Sequence, residues 1–491
     1  MKYSIAALLV LLTLSAGAQN TFIKRYKNTT IAESGVAVCL LPNNQYAIVG
    51  QQANGFAWQA PMVVITDSAG NQIRHWVDTT YNGIVYDAVS DSSGNIYIAG
   101  NFYGYATVAK YSMLGIQLWE RSYSANEHES NCNSIAIVND TMIVMAGGQY
   151  LGGGAGSNPL VAAYNLNGDA IWVFASPFEV NLLRNEFDVL SITHLDSVLY
   201  LTGAVSDTSP QQPFLATLSL NGSILSYSKI PENGLGFAVQ ALSSDSIFIA
   251  GCGVDSSLRT FNALYLVNAD GQVLSQQIDS SVWNIYISKT DIDRQRGILY
   301  VLTFDTINEN GGVGNQDKIL AYQIPVTSLD EPLWQKTISG TRSTGSFRDL
   351  KFAGDGTVLH TATATENCPN CPYLAKIDKD ACTDMACDTG FITGIVAPTL
   401  VNVTFKLYPN PLSSGPLYYE LQSDEPIHTI EATCYDLSGK AIPLAHTENY
   451  NAGTTYKAAL HINSGIANGM YIVKWLVNGR HSLYARFVKA G

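Results

Sequence analysis

The fold is decided by residues 82–124, which read NGIVYDAVSDSSGNIYIAGNFYGYATVAKYSMLGIQLWERSYS. Two glycines, Gly94 and Gly115, lie in turns between short apolar runs, and a tight hairpin turn needs a backbone φ that glycine adopts easily. We therefore predict a four-stranded antiparallel sheet from this stretch alone. Its predicted strands are Ile84–Val89, Asn95–Ala99, Ala106–Tyr111 and Ile116–Tyr123.

The same four-run unit recurs along the chain with a period of about fifty residues. The second run of each unit ends in a short apolar phrase, which usually closes with glycine. A repeated supersecondary unit of this length is typical of stacked or radial β architectures. The phrases are Tyr46–Gly50, Ile96–Gly100, Met142–Gly147, Leu199–Gly203, Ile247–Gly251, Leu299–Thr303 and Val358–Ala362.

The strands of these units are apolar on both faces, since Ile96 and Ile98 point one way and Tyr97 and Ala99 the other. A sheet with one face in water would alternate apolar and polar residues instead. Sheets covered on both sides are what the radial stacking of blades requires, so seven units predict a seven-bladed β-propeller. The fourth run often carries an aromatic residue soon after its turn: Trp76, Trp119, Trp172, Tyr227 and Trp334.

The seventh unit has three clear runs and lacks a fourth. Residues Thr21–Lys27 read as a fourth run with no unit before it. We expect this N-terminal strand to pair with Pro372–Ile377, because the pairing removes two exposed sheet edges and closes the ring.

Composition excludes some classes of partner. The chain has 491 residues, a formal net charge of -13, and only 14% charged residues against 46% hydrophobic ones. A surface that reads nucleic acid must be basic, so we expect no nucleic-acid partner. The hydrophobic fraction is sufficient for a large core.

The N-terminus predicts export. Residues 1–18 combine Lys2, an apolar run Ile5–Leu14 and a small-residue site Ala16–Ala18, which is the pattern of a signal peptide. The apolar run is too short to serve as a membrane anchor, and we expect no membrane insertion beyond the signal peptide. The predicted location is secreted or at the outer cell surface, reached through the periplasm.

Four of the eight cysteines cluster near the end of the repeats, and the other four lie in strand patterns. The clustered cysteines could bind zinc, but in an exported chain we favour disulfides and expect no metal and no cofactor. The strand cysteines read as small buried apolar residues. The candidate disulfide residues are Cys368, Cys371, Cys382 and Cys387.

The repeats end before a second all-β segment. We assign residues 19–387 to the propeller, 388–403 to a linker and 404–491 to a smaller domain. About 85 residues with six or seven short strands predict a β-sandwich.

This terminal segment contains, in order, the motifs Leu407–Pro411, Tyr435–Lys440, Gly469–Val473 and Arg486–Lys489. With these motifs it resembles the type IX secretion C-terminal sorting domain of Bacteroidota, over about the last 85 residues. Departures are Ala467 where that family usually has proline, and two residues after Lys489. The resemblance implies Sec export, passage through the outer membrane by the type IX machinery, and removal of the domain with release or attachment to surface lipopolysaccharide. The repeat phrase Asn95–Gly100 is similar to the repeats of secreted propellers of the same bacteria, and this resemblance implies little about function. The sorting-motif residues are Tyr408, Pro409, Asn410, Pro411, Asp436, Gly439, Lys440, Gly469, Tyr471 and Lys489.

No catalytic motif stands out, so the sequence favours a non-enzymatic module. Asp291 and Asp293 read as part of a turn, and His128 and His194 as isolated loop residues. Long connections on one edge of a rigid scaffold are where binding usually occurs. We predict such connections at Gln51–Pro61, Gln149–Pro159, Ser206–Pro213, Asp255–Phe261 and Asp305–Asp317.

Exposed aromatic residues in or beside these connections are candidates for stacking on sugars or for anchoring a protein partner. The expected function is the binding of a glycan or a surface protein. Two alternatives stay open: a carbohydrate-active or quinone-dependent propeller enzyme, which needs carboxylates or histidines converging on the inner strands, and a structural component of adhesion or gliding. The candidate binding residues are Phe56, Trp58, Tyr103, Tyr105 and Tyr150.

Overall fold

A computed structural model shows an all-β chain in two compact units, Met1–Asp388 and Thr389–Gly491. Apart from one 3-10 turn at Pro42–Asn44, the regular structure of the described residues is β-strand. The structure describes residues 21–29, 31–53, 59–123, 128–152, 156–178, 185–206, 211–254, 260–279, 289–309, 312–326, 328–338, 348–364, 370–378, 404–422, 430–436, 441–452, 455–462, 466–477 and 481–490.

Strands of the first unit lie in successive antiparallel groups of four, in sequence order. A short parallel pairing of Gly156 and Ser157 with Asn185 and Glu186 joins the third group to the fourth. The first four groups are β2–β5 (Glu33–Leu41, Gln45–Ala53, Gln59–Thr66, Gln72–Val77), β6–β9 (Gly83–Ser90, Ile96–Phe102, Tyr105–Tyr111, Gln117–Tyr123), β10–β13 (Ser130–Val138, Met142–Tyr150, Gly156–Asn165, Ala170–Phe174) and β14–β17 (Asn185–Leu195, Val198–Ser206, Gln212–Ser219, Ile224–Lys229).

The last group of the first unit contains the N-terminal strand, as the sequence predicts. β1 (Phe22–Arg25) pairs antiparallel with β28 (Cys371–Ile377), placing Phe22 opposite Lys376 and Arg25 opposite Tyr373. The strand order of this last group is β1, β28, β27 (Val358–Ala364) and β26 (Asp349–Phe352). The remaining strands are β18–β21 (Gly234–Ser243, Ser246–Val254, Thr260–Val267, Val273–Asp279), β22–β25 (Lys289–Asp293, Ile298–Glu309, Gly312–Gln323, Trp334–Ile338) and β26–β28 (Asp349–Phe352, Val358–Ala364, Cys371–Ile377).

The recurring apolar phrases form the second strands and are buried on both faces. Residues Ile96, Tyr97, Ile98 and Ala99 of β7 have 0% of their surface exposed, which confirms that both sides of the sheet are covered. The turn before β7 is closed by Asp91, whose Oδ1 accepts bonds from the backbone N–H of Ser93 and Asn95. Hydrophobic side chains of neighbouring groups pack together between the sheets.

The first strands of the seven groups form a closed circuit. Each lies against the first strand of the next group, and β26 of the last group lies against β2 of the first. We call these seven strands, β2, β6, β10, β14, β18, β22 and β26, the central circuit.

Side-chain hydrogen bonds join successive strands of the central circuit. The first strands of the first five groups carry a bulge, after Gly35, Val85, Cys132, Val189 and Gly236 respectively. Where the residue after the bulge is Asp or Ser, its side-chain oxygen accepts a hydrogen bond from a backbone N–H of the next group. Asp87 Oδ2 accepts from Ile135 N (3.1 Å), Ser134 Oγ from Ile192 N (3.3 Å), Ser191 Oγ from Val239 N (3.2 Å), and the matching Asp349 Oδ2 of the seventh group from Val38 N (2.9 Å).

Two sequence interpretations are wrong in detail. Asp291 and Asp293 lie in strand β22 and not in a turn. Asp291 Oδ2 accepts a 2.7 Å hydrogen bond from Phe352 N, so its side chain helps to join β22 to the neighbouring strand β26. His194 lies in strand β14 and not in a loop.

The connections between second and third strands are also shorter than predicted, because the strands run further. β23 and β24 continue their pairing as far as Glu309 opposite Gly312, so most of the loop predicted at Asp305–Asp317 is hairpin. β11 likewise extends to Tyr150 and β12 begins at Gly156.

The second unit contains two four-stranded sheets, ordered β29-β30-β34-β33 and β32-β31-β35-β36. They share one hydrophobic core that includes Tyr419, Trp475 and Phe487. The strands are β29 Thr404–Tyr408, β30 Leu417–Gln422, β31 Ile430–Asp436, β32 Ala441–Ile442, β33 Leu444–Ala452, β34 Thr455–Ile462, β35 Gly469–Val477 and β36 His481–Lys489.

Candidate binding site

One edge of the first unit brings together the starts of the first strands and the turns between second and third strands. The backbone N–H of Ser130, at the start of β10, donates to the carbonyl of Gly104 in the β7–β8 turn. The N–H of Tyr150, at the end of β11, donates to the carbonyl of Glu129. We call this edge the loop edge, and it carries polar and aromatic side chains from three successive groups.

The polar centre of this cluster is Asp188, near the start of β14. Asn133 Nδ2 of the preceding group donates to Asp188 Oδ1 at 2.7 Å and to the carbonyl of Val189 at 2.9 Å. Asn131 Nδ2 in turn donates to Asn133 Oδ1 at 2.9 Å. Gly148 keeps this site open, because a Cβ there would lie 3.0 Å from Asp188 Oδ1.

The surroundings of Asp188 shift the pKa of its carboxyl close to neutral pH. Burial raises the pKa of its carboxyl to about 7, although the hydrogen bonds from Asn133 and Asn131 act in the opposite direction. The carboxyl can therefore accept a hydrogen bond when ionised and donate one when protonated. A group that holds both states near neutral pH is typical of a functional site.

Two tyrosines complete the cluster. Burial raises the pKa of Tyr86, and the charges of Tyr150 and Asp188 raise it further. Burial also raises the pKa of Tyr150, and Asp188 and Glu129 add to this. Tyr86 is the bulge residue of β6 and is half-buried, whereas Tyr150 is 45% exposed. The cluster thus presents aromatic surface beside amide and carboxyl groups.

The sequence-predicted aromatic residues occupy different environments. Tyr150 belongs to the cluster. Tyr103 is 58% exposed in the two-residue turn between β7 and β8, where its hydroxyl donates to the carbonyl of Thr80 and its ring lies 6.3 Å from that of Tyr81. Tyr105 begins β8 and is half-buried. Phe56 and Trp58 lie outside the described residues.

The polar residues of this cluster were missed by sequence reasoning. Asn131, Asn133 and Asp188 interrupt otherwise apolar first runs, which was the only available signal. Their meeting depends on the packing of two groups and on the bulge at Asn133.

A second set of charges lies within the central circuit. Lys289 Nζ of β22 lies 3.5 Å from Asp87 Oδ2 of β6. Charge interactions connect Asp349 with Lys351, Lys289 and Asp87, and burial is the main reason that the pKa of Asp349 is raised. Carboxylates do converge on the inner strands, as the enzyme alternative requires. Those of Asp87 and Asp349 are occupied by backbone N–H groups and lysines, which is a structural arrangement.

A third polar set is fully buried between the sixth and seventh groups. Asp317 accepts bonds from Tyr373 OH at 2.6 Å and pairs with Arg348 Nη1 at 2.6 Å and with His360 Nε2 at 3.0 Å. Burial opposes ionisation of Asp317, but Arg348 and His360 outweigh it and lower its pKa to about 2. The set is closed to solvent and holds the two groups together.

Within the ranges that the structure describes, no three His, Cys, Asp or Glu side chains are placed to hold a metal ion. Nor does any described segment form a helix long and apolar enough to cross a membrane.

The cysteines divide into two sets. Cys39, Cys132, Cys252 and Cys434 are buried, as the sequence indicates. Cys371 is disulfide-bonded. The other three candidate cysteines, Cys368, Cys382 and Cys387, lie outside the described residues.

Two residues of the predicted sorting motif, Asn410 and Lys489, tie the last strand of the second unit to the segment before β30. Asn410 donates from Nδ2 to the carbonyl of Arg486 (3.1 Å) and accepts at Oδ1 from Val488 N (2.9 Å). Lys489 Nζ donates to the carbonyl of Ser413 at 2.8 Å. Cis peptide bonds precede Pro409 and Pro411.

The remaining motif residues lie farther from Asn410 in sequence. Tyr408 is exposed and stacks on Tyr418. Asp436 ends β31 opposite Tyr471, whose hydroxyl donates to the carbonyl of Ala467 at 2.7 Å. Gly469 begins β35, and Gly439 and Lys440 lie outside the described residues.

No protein-family model and no curated protein matches the chain. Among solved structures, it is similar to an acylaminoacyl peptidase of Pyrococcus horikoshii, with 12% identity and a TM-score of 0.41, over 80% of this chain and 57% of that one. It is also similar to the WD40 domain of Toxoplasma gondii coronin, with 9% identity and a TM-score of 0.31, over 91% and 88% of the two chains. The WD40 domain of SCAP from fission yeast gives 9% identity and a TM-score of 0.34, over 74% and 96%.

Proposed function

We propose that the first unit is a seven-bladed β-propeller that binds a glycan at its loop edge, and that the protein is exported for this purpose. Support for the ring comes from the closed central circuit and from the pairing of β1 with β28. Each group of four strands is then one blade.

The observation that carries the binding function is the loop-edge cluster, in which Asn133 donates to Asp188 at 2.7 Å and Tyr86, Tyr150 and Asp188 influence one another electrostatically. Sugar rings present apolar faces and dense hydroxyl groups. Tyrosine rings can stack on the faces, and planar amide and carboxyl groups such as those of Asn131 and Asp188 can bond the hydroxyls. Both kinds of group meet at one edge of this unit.

The proposed cellular address rests on the sequence. Residues 1–18 are proposed as a signal peptide and 404–491 as a β-sandwich of the type IX sorting kind, with the secretion machinery as a transient partner. The shared core of the two terminal sheets supports a sandwich. The protein would then act outside the cell, where surface or environmental glycans are available.

Glycan-array binding of the full chain tests the proposal. Tyr150→Ala and Tyr86→Ala should each weaken binding about tenfold, because each removes a stacking surface. The matched control is Tyr418→Ala, which removes an exposed tyrosine from the second unit and should leave binding unchanged.

Equal loss in all three variants would contradict a site at the loop edge. Retention of a surface protein instead of a glycan, with the same dependence on Tyr150, would keep the site and change the ligand. A chain that retains neither kind of ligand would overturn the proposal.

A further inference from the structure

The carboxyl of Asp188 is held at the loop edge by amide groups and has no cationic partner. Asn133 Nδ2 donates to its Oδ1 at 2.7 Å, and a hydrogen bond from Asn131 also acts on it. In the part of the chain that the structure describes, no Lys, Arg or His forms an ion pair with Asp188. Burying a carboxylate without a countercharge is costly, so an approaching cation would stabilise this group.

Other buried carboxylates of the first unit already have a cation within reach. Asp87 lies 3.5 Å from Lys289, and Asp317 lies 2.6 Å from Arg348. Both pairs join groups of strands to one another and are structural. Asp188 differs in two respects, because it lacks such a cation and because it is partly exposed at the loop edge, where a ligand can supply one.

The amide groups around Asp188 are committed to one another. The amide nitrogen of Asn133 donates both to Asp188 Oδ1 and to the carbonyl of Val189. The Asn133 oxygen accepts from Asn131 Nδ2, and the Asn131 oxygen accepts from Gly148 N at 3.1 Å. Few donors therefore remain for an anionic ligand, and the main group on offer is the carboxyl of Asp188.

The surroundings of this carboxyl are acidic. The strands that carry the cluster, β6, β10, β11 and β14, contain no Lys or Arg. Glu186 lies two residues before Asp188 on the same face of β14, and the charge of Glu129 acts on Tyr150. The electrostatic field at this part of the loop edge thus attracts a cationic group and repels an anionic one.

We propose that the glycan bound at the loop edge carries free amino groups, the class of the hexosamine oligosaccharides. In such a sugar the ammonium is attached directly to the ring, so a ring stacked on Tyr150 can place its ammonium on the carboxylate of Asp188. N-acetylation removes this charge, and a uronic acid reverses it. The chemical class rests on the function proposed above, because it takes the loop edge as a glycan site.

The protonation of Asp188 fits this class of ligand. Burial raises the pKa of its carboxyl to about 7 in the free protein. A nearby ammonium favours the ionised form and lowers that pKa, so the bound sugar completes an ion pair that the protein alone lacks.

Isothermal titration calorimetry of the full chain at about 0.15 M salt tests the amino group directly. A glucosamine trisaccharide should bind about tenfold more tightly than the N-acetylglucosamine trisaccharide, which has the same rings and no ammonium. Asp188→Asn should weaken binding of the glucosamine trisaccharide about tenfold and bring the affinity ratio of the two sugars to about one. A general loss of structure would weaken both sugars and would not remove their ratio.

Asp196→Asn is the matched control. Asp196 lies in the exposed turn at the opposite end of β14, and its φ of 52° suits asparagine. The variant removes the same charge far from the loop edge and should keep the tenfold preference for the glucosamine trisaccharide. Trilysine supplies ammonium groups without sugar rings and should bind at least about tenfold more weakly than that trisaccharide.

Three results would each overturn the amino-sugar class. They are equal affinity for the two trisaccharides, equal loss of the preference in Asp188→Asn and Asp196→Asn, and binding of trilysine as tight as that of the glucosamine trisaccharide. Binding of the N-acetylated trisaccharide with dependence on Tyr150 but without this preference overturns the class and leaves a glycan site at the loop edge. Absence of binding by either trisaccharide overturns the class as well.

Discussion

The ammonium nitrogen of Lys289 lies 3.5 Å from a carboxylate oxygen of Asp87, although the two residues belong to groups that are not neighbours. Lys289 occupies in the sixth group the register position that Asp87 occupies in the second. At this position four other groups use Asp or Ser to bind the next strand of the central circuit. Lysine cannot accept such a bond, and its long side chain instead reaches across the circuit.

Asp87→Ala should destabilise the first unit by about 3 kcal/mol, because it removes acceptors for Ser134 Oγ and Ile135 N and leaves the Lys289 ammonium without this partner. Lys289→Met should cost less, since methionine fills similar space and Asp87 keeps its other bonds. Urea unfolding measures both, with Glu331→Ala as an exposed control. A larger loss of unfolding free energy for Lys289→Met than for Asp87→Ala would contradict the view that Asp87 stabilises this part of the first unit mainly through its bonds to Ser134 and Ile135.

Removal of residues 21–28 should lower the thermal unfolding midpoint by about 5 °C or more. β1 covers the edge of β28, and Ile23 packs into the core between the sixth and seventh groups. Lys24 Nζ also donates to the carbonyl of Ala69 at 2.7 Å, which ties the strand to the first group. The reference for the unfolding midpoint is the same protein with residues 21–28 retained, beginning at Thr21. An unchanged midpoint would show that β1 does not hold the ring closed.

Asp317→Asn should destabilise the junction of the sixth and seventh groups by about 3 kcal/mol near neutral pH, since it removes the charge that compensates buried Arg348. The lowered pKa of Asp317, about 2, means that its stabilising effect is present above the unfolded value near 4 and is lost as pH falls through 2. The difference between variant and wild type in urea unfolding should therefore shrink from pH 5 to pH 2. If the difference in unfolding free energy between variant and wild type stays constant from pH 5 to pH 2, the ion pair of Asp317 with Arg348 is not the source of that difference.

Asn410→Ala should loosen the last strand of the second unit, because the Asn410 side chain bonds the backbone of β36 at Arg486 and Val488. The expected loss is about 1–2 kcal/mol, seen as faster hydrogen exchange at Val488 N. Asn410→Asp keeps the acceptor for Val488 N and loses the donor to Arg486, so its exchange should be intermediate. Ser414→Ala, at an exposed neighbouring position, is the control.

The sequence was sufficient for the parts of the fold that depend on local patterns. The phrase at Ile96–Gly100 forms a buried second strand because its apolar residues face both ways, and Asp91 and Gly94 form the turn before it. The pairing of β1 with β28 was also predictable, since an unpaired run and an unpaired edge were both visible.

The candidate site was only partly predictable. Tyr150 could be chosen because it follows an apolar phrase, but Asp188 becomes meaningful only when packing brings Asn133 within 2.7 Å of it. The contact of Lys289 with Asp87 has no local signal either, because the two residues lie far apart in sequence and in groups that are not neighbours. The long loops were overpredicted because hairpin pairing can continue through polar residues such as Asn308 and Glu309.

Asp188 should make stability depend on pH in a defined direction. Its folded pKa of about 7 lies above the unfolded value near 4, so the folded state binds more protons between these values and stability falls as pH rises through that range. Asp188→Asn removes this titration and keeps a similar shape. The free energy of unfolding of the variant minus that of wild type should therefore be larger at pH 8 than at pH 5. This difference can grow by at most about 1.4 kcal/mol per pH unit.

Urea unfolding of both proteins at pH 5 and pH 8 measures this difference, and other titrating groups cancel because they are common to both. Tyr86→Phe is the control, because it lies in the same cluster and its raised pKa keeps it protonated across this range. If Asp188→Asn and wild type differ equally at the two pH values, Asp188 is ionised throughout. In that case the carboxyl could act only as a hydrogen-bond acceptor for a ligand at the loop edge.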